Sequence, residues 1–531
     1  MKKLRTLALA GIMSISLAAC GGPAETAGIN QGATPPISPQ LSDQDITGEI
    51  NISCFDTMTY QRYLEEAASA FEAKYPGTKV NITGFSAMPE VRTMEGEDGQ
   101  KMSVMVAKAP DASSKNDYIS KISTELMSGH GPDILAMDIL PYYKYVGSGQ
   151  LEDLKPYMAA DEAFSPSDYH QNILDAVQYK GGQYFIPMDY SYDYLSYDTA
   201  LMAPEAQKAL EQASTFTYDK LVEIGGASFE AQKDSPDSAK LFNLFDGIEN
   251  GPNMFDALFN ENYSHFLDFE NKAVNFDDGQ FASILEKTKE YADKGYINAS
   301  INPEEMRANM EGTIGQLRPG QKPDAAMFPK YFYQNNPSMM LFQQYNDPEN
   351  SEMVAFRNIG SGDTENHEVA GLMQDSQGHI PFEFYQAYGI NANSENKATA
   401  WAFIKFLLSG DMQTSMNLMG RPLNLAADQE KAKLEVSGQL YRPVFRSDEN
   451  GGSNRPTEEP TGELTEKQQA TYEAYHGALE QFAGQLNQYN IKDSTIDNMI
   501  QSEIAYFFDG VKTADEVAKA LQSRVELYMN E

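Results

Sequence analysis

At 531 residues, with 40 basic against 77 acidic side chains and a formal net charge of −37, the chain presents a field that excludes nucleic acid as a partner. The same field disfavours anionic solutes, tolerates neutral or cationic ones and keeps an exported chain soluble. The length suffices for two or three domains, and with only two cysteines, Cys20 and Cys54, stability must rest on a hydrophobic core rather than a disulfide framework.

The chain opens with Lys2, Lys3 and Arg5, then an apolar run from Leu7 to Leu17, then Leu17-Ala18-Ala19-Cys20. Residues 1–19 read as a signal peptide, too short to remain as a membrane span. The small residues before the cysteine resemble the lipobox of bacterial lipoproteins, in which Cys20 becomes the lipidated first residue of the mature protein. Removal of residues 1–19 takes away three bases and no acids, leaving 37 basic against 77 acidic side chains and a net charge of −40. Residues 20–48 are rich in Gly, Pro, Ala, Thr and Ser without apolar periodicity and read as a flexible tether.

Glu49 to Phe55 is a β-rich run followed by a polar loop through Asp56 and Thr59 to Tyr60. Leu64, Ala67, Ala68 and Phe71 then mark one face of a helix, which Pro76-Gly77 stop before a second strand at Lys79 to Gly84. A strand, a crossover helix and a strand make the unit of a parallel sheet. Ligands of such sheets sit beyond the carboxyl ends of the strands, which places Asp56, Thr59 and Tyr60 at a crevice, with helix capping the competing role for Thr59. Ser86 to Asn116 is undecided and reads as an insertion at the rim. Tyr118 to Gly129 is a helix, Asp133 to Met137 a short buried strand, and Asp138 points into the same crevice. Tyr142, Tyr143 and Tyr145 lie on a short helix. Gly147-Ser148-Gly149 lacks the surroundings of a phosphate loop.

Tyr179 to Met202 reads as a hinge. Gly181-Gly182 supply a tight turn, and Tyr184 to Tyr197, β-rich and interrupted by Pro187, must run extended. Tyr190, Tyr192 and Tyr194 then share one face, and Asp189, Ser191 and Asp193 the other. Aromatic faces alternating with hydrogen-bonding groups suit a cleft for a polyhydroxylated ligand, the plainer alternative being a half-buried edge strand.

YISKISTELMSGHGPDILAMD, YVGSGQLEDLKPYM and GGQYFIPMDYSYDYLSYDTALM, in that order, resemble extracellular solute-binding proteins of bacterial ABC importers, the sugar-binding family 1 branch. FTYDKLVEI, FENKAVNFDDGQF, DAAMFPKYFY, YGINANSENKATAWAFIKFLLS, MGRPLN and KTADEVAKALQSRVELY extend the match over nearly the whole mature chain. The resemblance implies an α/β, two-lobed, periplasmic-binding-protein-like fold of type II, each lobe a mostly parallel sheet flanked by helices, with a multi-crossing hinge. Crossings are expected near Tyr190 to Tyr197, Pro381 to Tyr388 and Arg421 to Ala426. They divide the chain into an N-terminal lobe, 48–190 plus 388–421, and a C-terminal lobe, 195–380 plus 426–531. A helix on Ala400, Phe403, Ile404 and Leu407, and a Thr513/Glu516 capping box ahead of Val517, Leu521, Val525 and Tyr528, agree with this layout.

The family often stacks sugars on tryptophan, but the single Trp401 falls on the core face or flank of a helix. Tyr60, Tyr190, Tyr192, Phe328, Tyr331 and Tyr385 are therefore the candidate platforms. Asp56, Asp138, Asp189 and Asp193 are the candidate acceptors and Lys330 the donor. The polar segment Arg446 to Glu463 reads as a surface loop; its spacing does not match a calcium-binding loop. No catalytic constellation appears. Asp189 and Asp193 stand roughly 13 Å apart along a strand, too far for a glycosidase pair, which needs about 5 to 9.5 Å. The six histidines show no HExxH or close pairing, so neither a metal nor any other cofactor is expected. The expectation is a monomeric, lipid-anchored receptor on the outer face of the cytoplasmic membrane, binding an oligosaccharide and docking the permease subunits. A polyamine or peptide ligand, a surface-anchored carbohydrate-active enzyme and a non-transport adhesin or sensor are the alternatives.

Overall fold

In the computed structural model, residues 46–55, 58–85, 90–95, 101–106, 112–232, 243–248, 250–297, 330–337, 367–436 and 464–530 are described. Cys20, the tether, Asp56, Phe328 and the Arg446–Glu463 segment lie outside them. The chain order begins β1 (Gly48–Cys54), α1 (Met58–Lys74), β2 (Thr78–Gly84), the antiparallel pair β3 (Glu90–Glu95) and β4 (Lys101–Val106), α2 (Ala112–Met127), β5 (Ile134–Ala136) and α3 (Tyr142–Gly147). The stripe on α1 is buried as its spacing predicts, and Phe71 meets Phe403 at 5.1 Å. Within the region 86–116, undecided in sequence, the described residues form two strands and the start of a helix.

A tight turn follows at Tyr179–Gly182, where Lys180 (φ 48°) and Gly181 (φ 78°) take left-handed backbone and Tyr179 and Gly182 exchange hydrogen bonds of 3.1 and 3.0 Å. It leads to β6 (Ile186–Pro187), β7 (Asp189–Tyr190) and β8 (Tyr194–Asp198). Beyond lie β9 (Thr215–Phe216), α4 (Tyr218–Gln232), β10 (Asn243–Phe245), α5 (Gly251–Glu261), β11 (Lys330–Asn335), β12 (His367–Met373), β13 (Pro381–Phe382) and β14 (Ala387–Ile390). The chain closes with α6 (Lys397–Leu407), β15 (Arg421–Pro422), α7 (Leu425–Val436), α8 (Glu466–Ala483), β16 (Gln488–Tyr489), α9 (Ser494–Phe508) and α10 (Ala514–Asn530). The capping box forms ahead of α10: Thr513 N–H donates to Glu516 Oε2 at 2.8 Å, and Glu516 N–H to Thr513 Oγ1 at 3.3 Å. Trp401 is fully buried on α6, its indole N–H donating to Asp161 Oδ2 at 2.9 Å. No described helix is long and apolar enough to cross a membrane.

Two five-stranded sheets dominate, in the orders β2-β1-β5-β14-β6 and β10-β11-β8-β12-β9. In each, one strand runs against the other four: β14 in the first and β8 in the second. These are the strands entered directly from a crossing. A chain leaving the carboxyl edge of one sheet meets the carboxyl edge of the next, so its first strand there must point backwards. The mostly parallel α/β architecture expected from the sequence is what the chain adopts.

The crossings are tied to one another. Ser191 and Glu383 exchange backbone hydrogen bonds of 2.7 and 2.8 Å, and Tyr190 pairs with Arg421 in an antiparallel bridge. The Asp189 carboxylate accepts from the backbone N–H groups of Tyr385 (2.8 Å), Gln386 (3.2 Å) and Gly420 (3.2 Å). This approach requires glycine at 420, where a Cβ would stand 2.7 Å from Tyr190 O. Beside it Arg421, 1% exposed, donates to Asp428 and to Glu435 at 2.7 Å, while Tyr190 Oη donates to Asp428 Oδ2 at 2.9 Å and Tyr475 Oη to Glu435 Oε2 at 2.9 Å. Burial alone would raise the Asp428 carboxyl; Arg421, then His170 and Tyr190, hold it well below the ordinary range. Replacing Arg421 with methionine strands two buried carboxylates, so Arg421→Met should lower stability in urea denaturation by about 3–5 kcal/mol.

Candidate functional site

A cavity of about 470 Å³ opens between the two sheets. It follows the carboxyl-end rule on both sides. Asp138 and Ile248 come just after β5 and β10, while Gln334 and Asn336 lie at the end of β11 and Met373 at the end of β12. The crossings supply Ser191, Tyr192 and Asp193 on one pass and Glu383 and Phe384 on another; α5 adds Asp256, Asn260 and Glu261, Tyr489 ends β16, and Asn490 and Lys492 follow it.

The wall is built of fixed acceptors beside aromatic faces. Asp193 accepts from Gln334 Nε2 at 2.9 Å and from Asn336 Nδ2 at 3.3 Å, and Asn336 Oδ1 in turn accepts from Ser191 Oγ at 2.8 Å. Phe384 and Tyr489 stack with centroids 4.8 Å apart and planes 27° apart; Tyr192 stacks on Tyr190 at 6.2 Å and 10°. Asp138 Oδ1 and the Tyr192 hydroxyl are buried and have no hydrogen-bond partner among the described residues. Loss of solvent pushes Asp138 up to about 7 and Glu261 up to about 7; Asp193 is pushed to about 6 by loss of solvent and then by the charge of Glu383, although its side chain opens onto the cleft.

The candidates named from sequence separate into three groups. Asp138, Tyr192 and Asp193 line the cavity. Asp189 and Tyr190 do not: both are 0% exposed, Asp189 spent on the crossings and Tyr190 on Asp428. Lys330 is engaged by Asp246, and Tyr331 is 0% exposed beside Phe229, so neither faces the cleft. Tyr60, half-buried on α1, and Tyr385, whose N–H serves Asp189, also stand outside the lining. The hydroxyl of Tyr60 is raised by burial and then by the charge of Asp138. Thr59 sits in the first turn of α1. Sequence reasoning missed Tyr218, Glu261, Gln334, Asn336, Glu383, Phe384 and Tyr489. Glu383 and Phe384 fall inside the expected second crossing, a signal that was present; the others carry no local pattern.

A carboxyl whose folded pKa is raised stabilises the fold below its unfolded pKa, near 4, and loses that contribution as pH rises through the folded value, here near 7 for Asp138. Asp138→Asn should therefore match the parent at pH 4 and exceed it at pH 8 by about 1–3 kcal/mol in urea denaturation, allowing for partial exposure of the side chain.

The comparisons with known proteins agree with this geometry. The family model for the bacterial extracellular solute-binding protein matches residues 106–433, and the chain belongs to that family. The sugar-binding protein MalE of Xanthomonas citri shares the fold at a TM-score of 0.53 and 13% identity, over 91% of this chain and 97% of that one. An extracellular solute-binding protein family 1 member from Alicyclobacillus acidocaldarius gives 0.51 and 14%, over 91% and 99%. The cyclic alpha-maltosyl-1,6-maltose binding protein of Arthrobacter globiformis gives 0.50 and 14%, over 91% and 98%. The resemblance read from the sequence is borne out: the fold is the two-lobed one of these binding proteins.

Proposed function

We propose that this chain is a lipid-anchored receptor that captures a carbohydrate between its two sheets and delivers it to an ABC import permease. The observation that carries the reading is the cleft wall itself, where Asp193, held by the amides of Gln334 and Asn336, stands with the stacked Phe384–Tyr489 pair around one cavity. Fixed acceptors meet hydroxyl groups, and ring faces meet the apolar faces of a sugar. Two structural neighbours, a sugar-binding protein and a cyclic alpha-maltosyl-1,6-maltose binding protein, support the same class.

In this reading residues 1–19 are removed and Cys20 carries the lipid. One lobe comprises 48–190 with 388–421, the other 195–380 with 426–531, and solute bound to both favours the closed form. Only contacts absent from the open form shift that equilibrium, and the closed form docks the permease.

Thermal unfolding of the chain lacking residues 1–45, against a panel of mono- and oligosaccharides, tests the proposal. A ligand at about 100 times its Kd adds roughly 2.7 kcal/mol to stability. A shift with at least one glycan, with that glycan recovered intact by mass spectrometry, is expected, and Tyr192→Ala should weaken binding about tenfold. No shift with any glycan, or conversion of the glycan, would count against the proposal.

A further inference from the structure

Among the described residues an excess of acidic groups marks the cleft as much as its shape does. Six carboxylates line it, from Asp138, Asp193, Asp256, Glu261, Asp375 and Glu383, against one lining cation among the described residues, Lys492. Lys492 is already engaged: its Nζ donates to Asn260 Oδ1 at 2.9 Å and lies 4.7 Å from the centre of the Tyr263 ring.

Among the described residues the carboxylates other than that of Asp375 are oriented rather than paired: Lys115, Lys492 and Lys287 act on Asp138, Asp256 and Glu261 through their charge without forming an ion pair with them. Among the described residues only Asp375 has an ion-pair partner, His379 Nδ1 at 2.9 Å. The others that are held are held by neutral donors: Asp193 by two side-chain amides, Asp256 by Gln501 Nε2 at 2.7 Å, and Glu261 by the Tyr218 N–H at 2.6 Å. Neutral donors fix direction without cancelling the negative charge of the ionised form. Asp193 and Glu383 are near enough for the charge of one to oppose ionisation of the other.

An independent observation marks the same wall as a ligand surface. Asp138, which lines the cavity, has a buried Oδ1 with no hydrogen-bond partner among the described residues. Buried polar atoms normally find partners, so Asp138 Oδ1 is open to one from the cleft. The stacked Phe384–Tyr489 pair supplies ring faces that attract both a sugar face and a cation.

We propose that the solute is a saccharide bearing protonated amino groups, its ammonium groups lodged among Asp138, Asp193 and Glu383 and its ring faces on Phe384 and Tyr489. The inference rests on the carbohydrate reading above and narrows it. A neutral sugar would use these acceptors but leave the repulsion between Asp193 and Glu383 intact, whereas an amine relieves it.

Titration calorimetry on the chain lacking residues 1–45 separates the two levels. The probes are glucosamine, galactosamine and mannosamine, glucosamine oligomers of two to six units, the N-acetylated oligomers of the same lengths, neutral gluco-oligosaccharides and spermidine. At least one amine-bearing sugar should bind tenfold or more tightly than its N-acetylated counterpart, and the preference should shrink between about 0.05 and 0.5 M salt as screening grows. Glu383→Gln, at a side chain exposed on the wall, should reduce the preference while retaining the parent melting temperature. Equal or tighter binding of the neutral or N-acetylated sugar overturns the inference and leaves the carbohydrate reading standing. Spermidine binding without any sugar overturns both, and failure of every amine-bearing sugar overturns the inference.

Discussion

The Asp189 carboxylate is the point at which three passages of the chain are fastened together. It belongs to the pass that leaves the first sheet, and its two oxygens accept from N–H groups on the pass that returns and on the segment before β15. A buried carboxyl taking three backbone donors still sits high, at about 6, because loss of solvent outweighs them. The fastening has a geometric consequence. The strand that begins at each crossing runs against its sheet, and the carboxyl ends of the remaining strands of both sheets point toward one shared cavity. The site exists because the crossings lie together.

The same residue type performs opposite tasks around this junction, and environment decides which. Asp428 faces a guanidinium and stays ionised, so it binds the crossings to α7 and, through Glu435 and Tyr475, to α8. Asp138, Asp193 and Glu261 face neutral donors or open cavity, and their ionised forms are costly. That cost is a destabilisation of the empty receptor that a suitable ligand can relieve. Differential stabilisation of this kind is what a closing two-lobed protein needs, since a ligand shifts the equilibrium only by what it gains in the closed form.

Much of the fold was legible because it is written in local periodicity. The α1 stripe, the β1-α1-β2 unit, the Thr513 capping box and the family motifs each depend on residues close in sequence. The hinge was legible too, as an extended, Pro-interrupted run after a glycine turn. Alternation along it holds: Tyr192 and Tyr194 both meet Phe482 on α8, at 6.2 and 6.0 Å, while Ser191 and Asp193 face Asn336. Depth was not legible. Period two says which residues share a face but not that Asp189 and Tyr190 lie beneath the junction while Tyr192 and Asp193, one step further, reach the cavity. Tyr331 and Lys330 were misplaced for the same reason, since strand register against β8 and β10 is set by partners far away in sequence. Glu261, Gln334 and Tyr489 meet only in three dimensions, so no stretch of sequence announces them.

The most direct measurement is hydrogen exchange of the chain with and without a bound glycan. Slowed exchange should appear together at 138–140, 191–193, 334–336, 383–385 and 489–492, the segments that form the wall from both sheets, the crossings and the end of β16, as the closed form becomes populated. Slowing confined to one of these segments, or placed on a surface away from the cavity, would contradict capture between the two sheets.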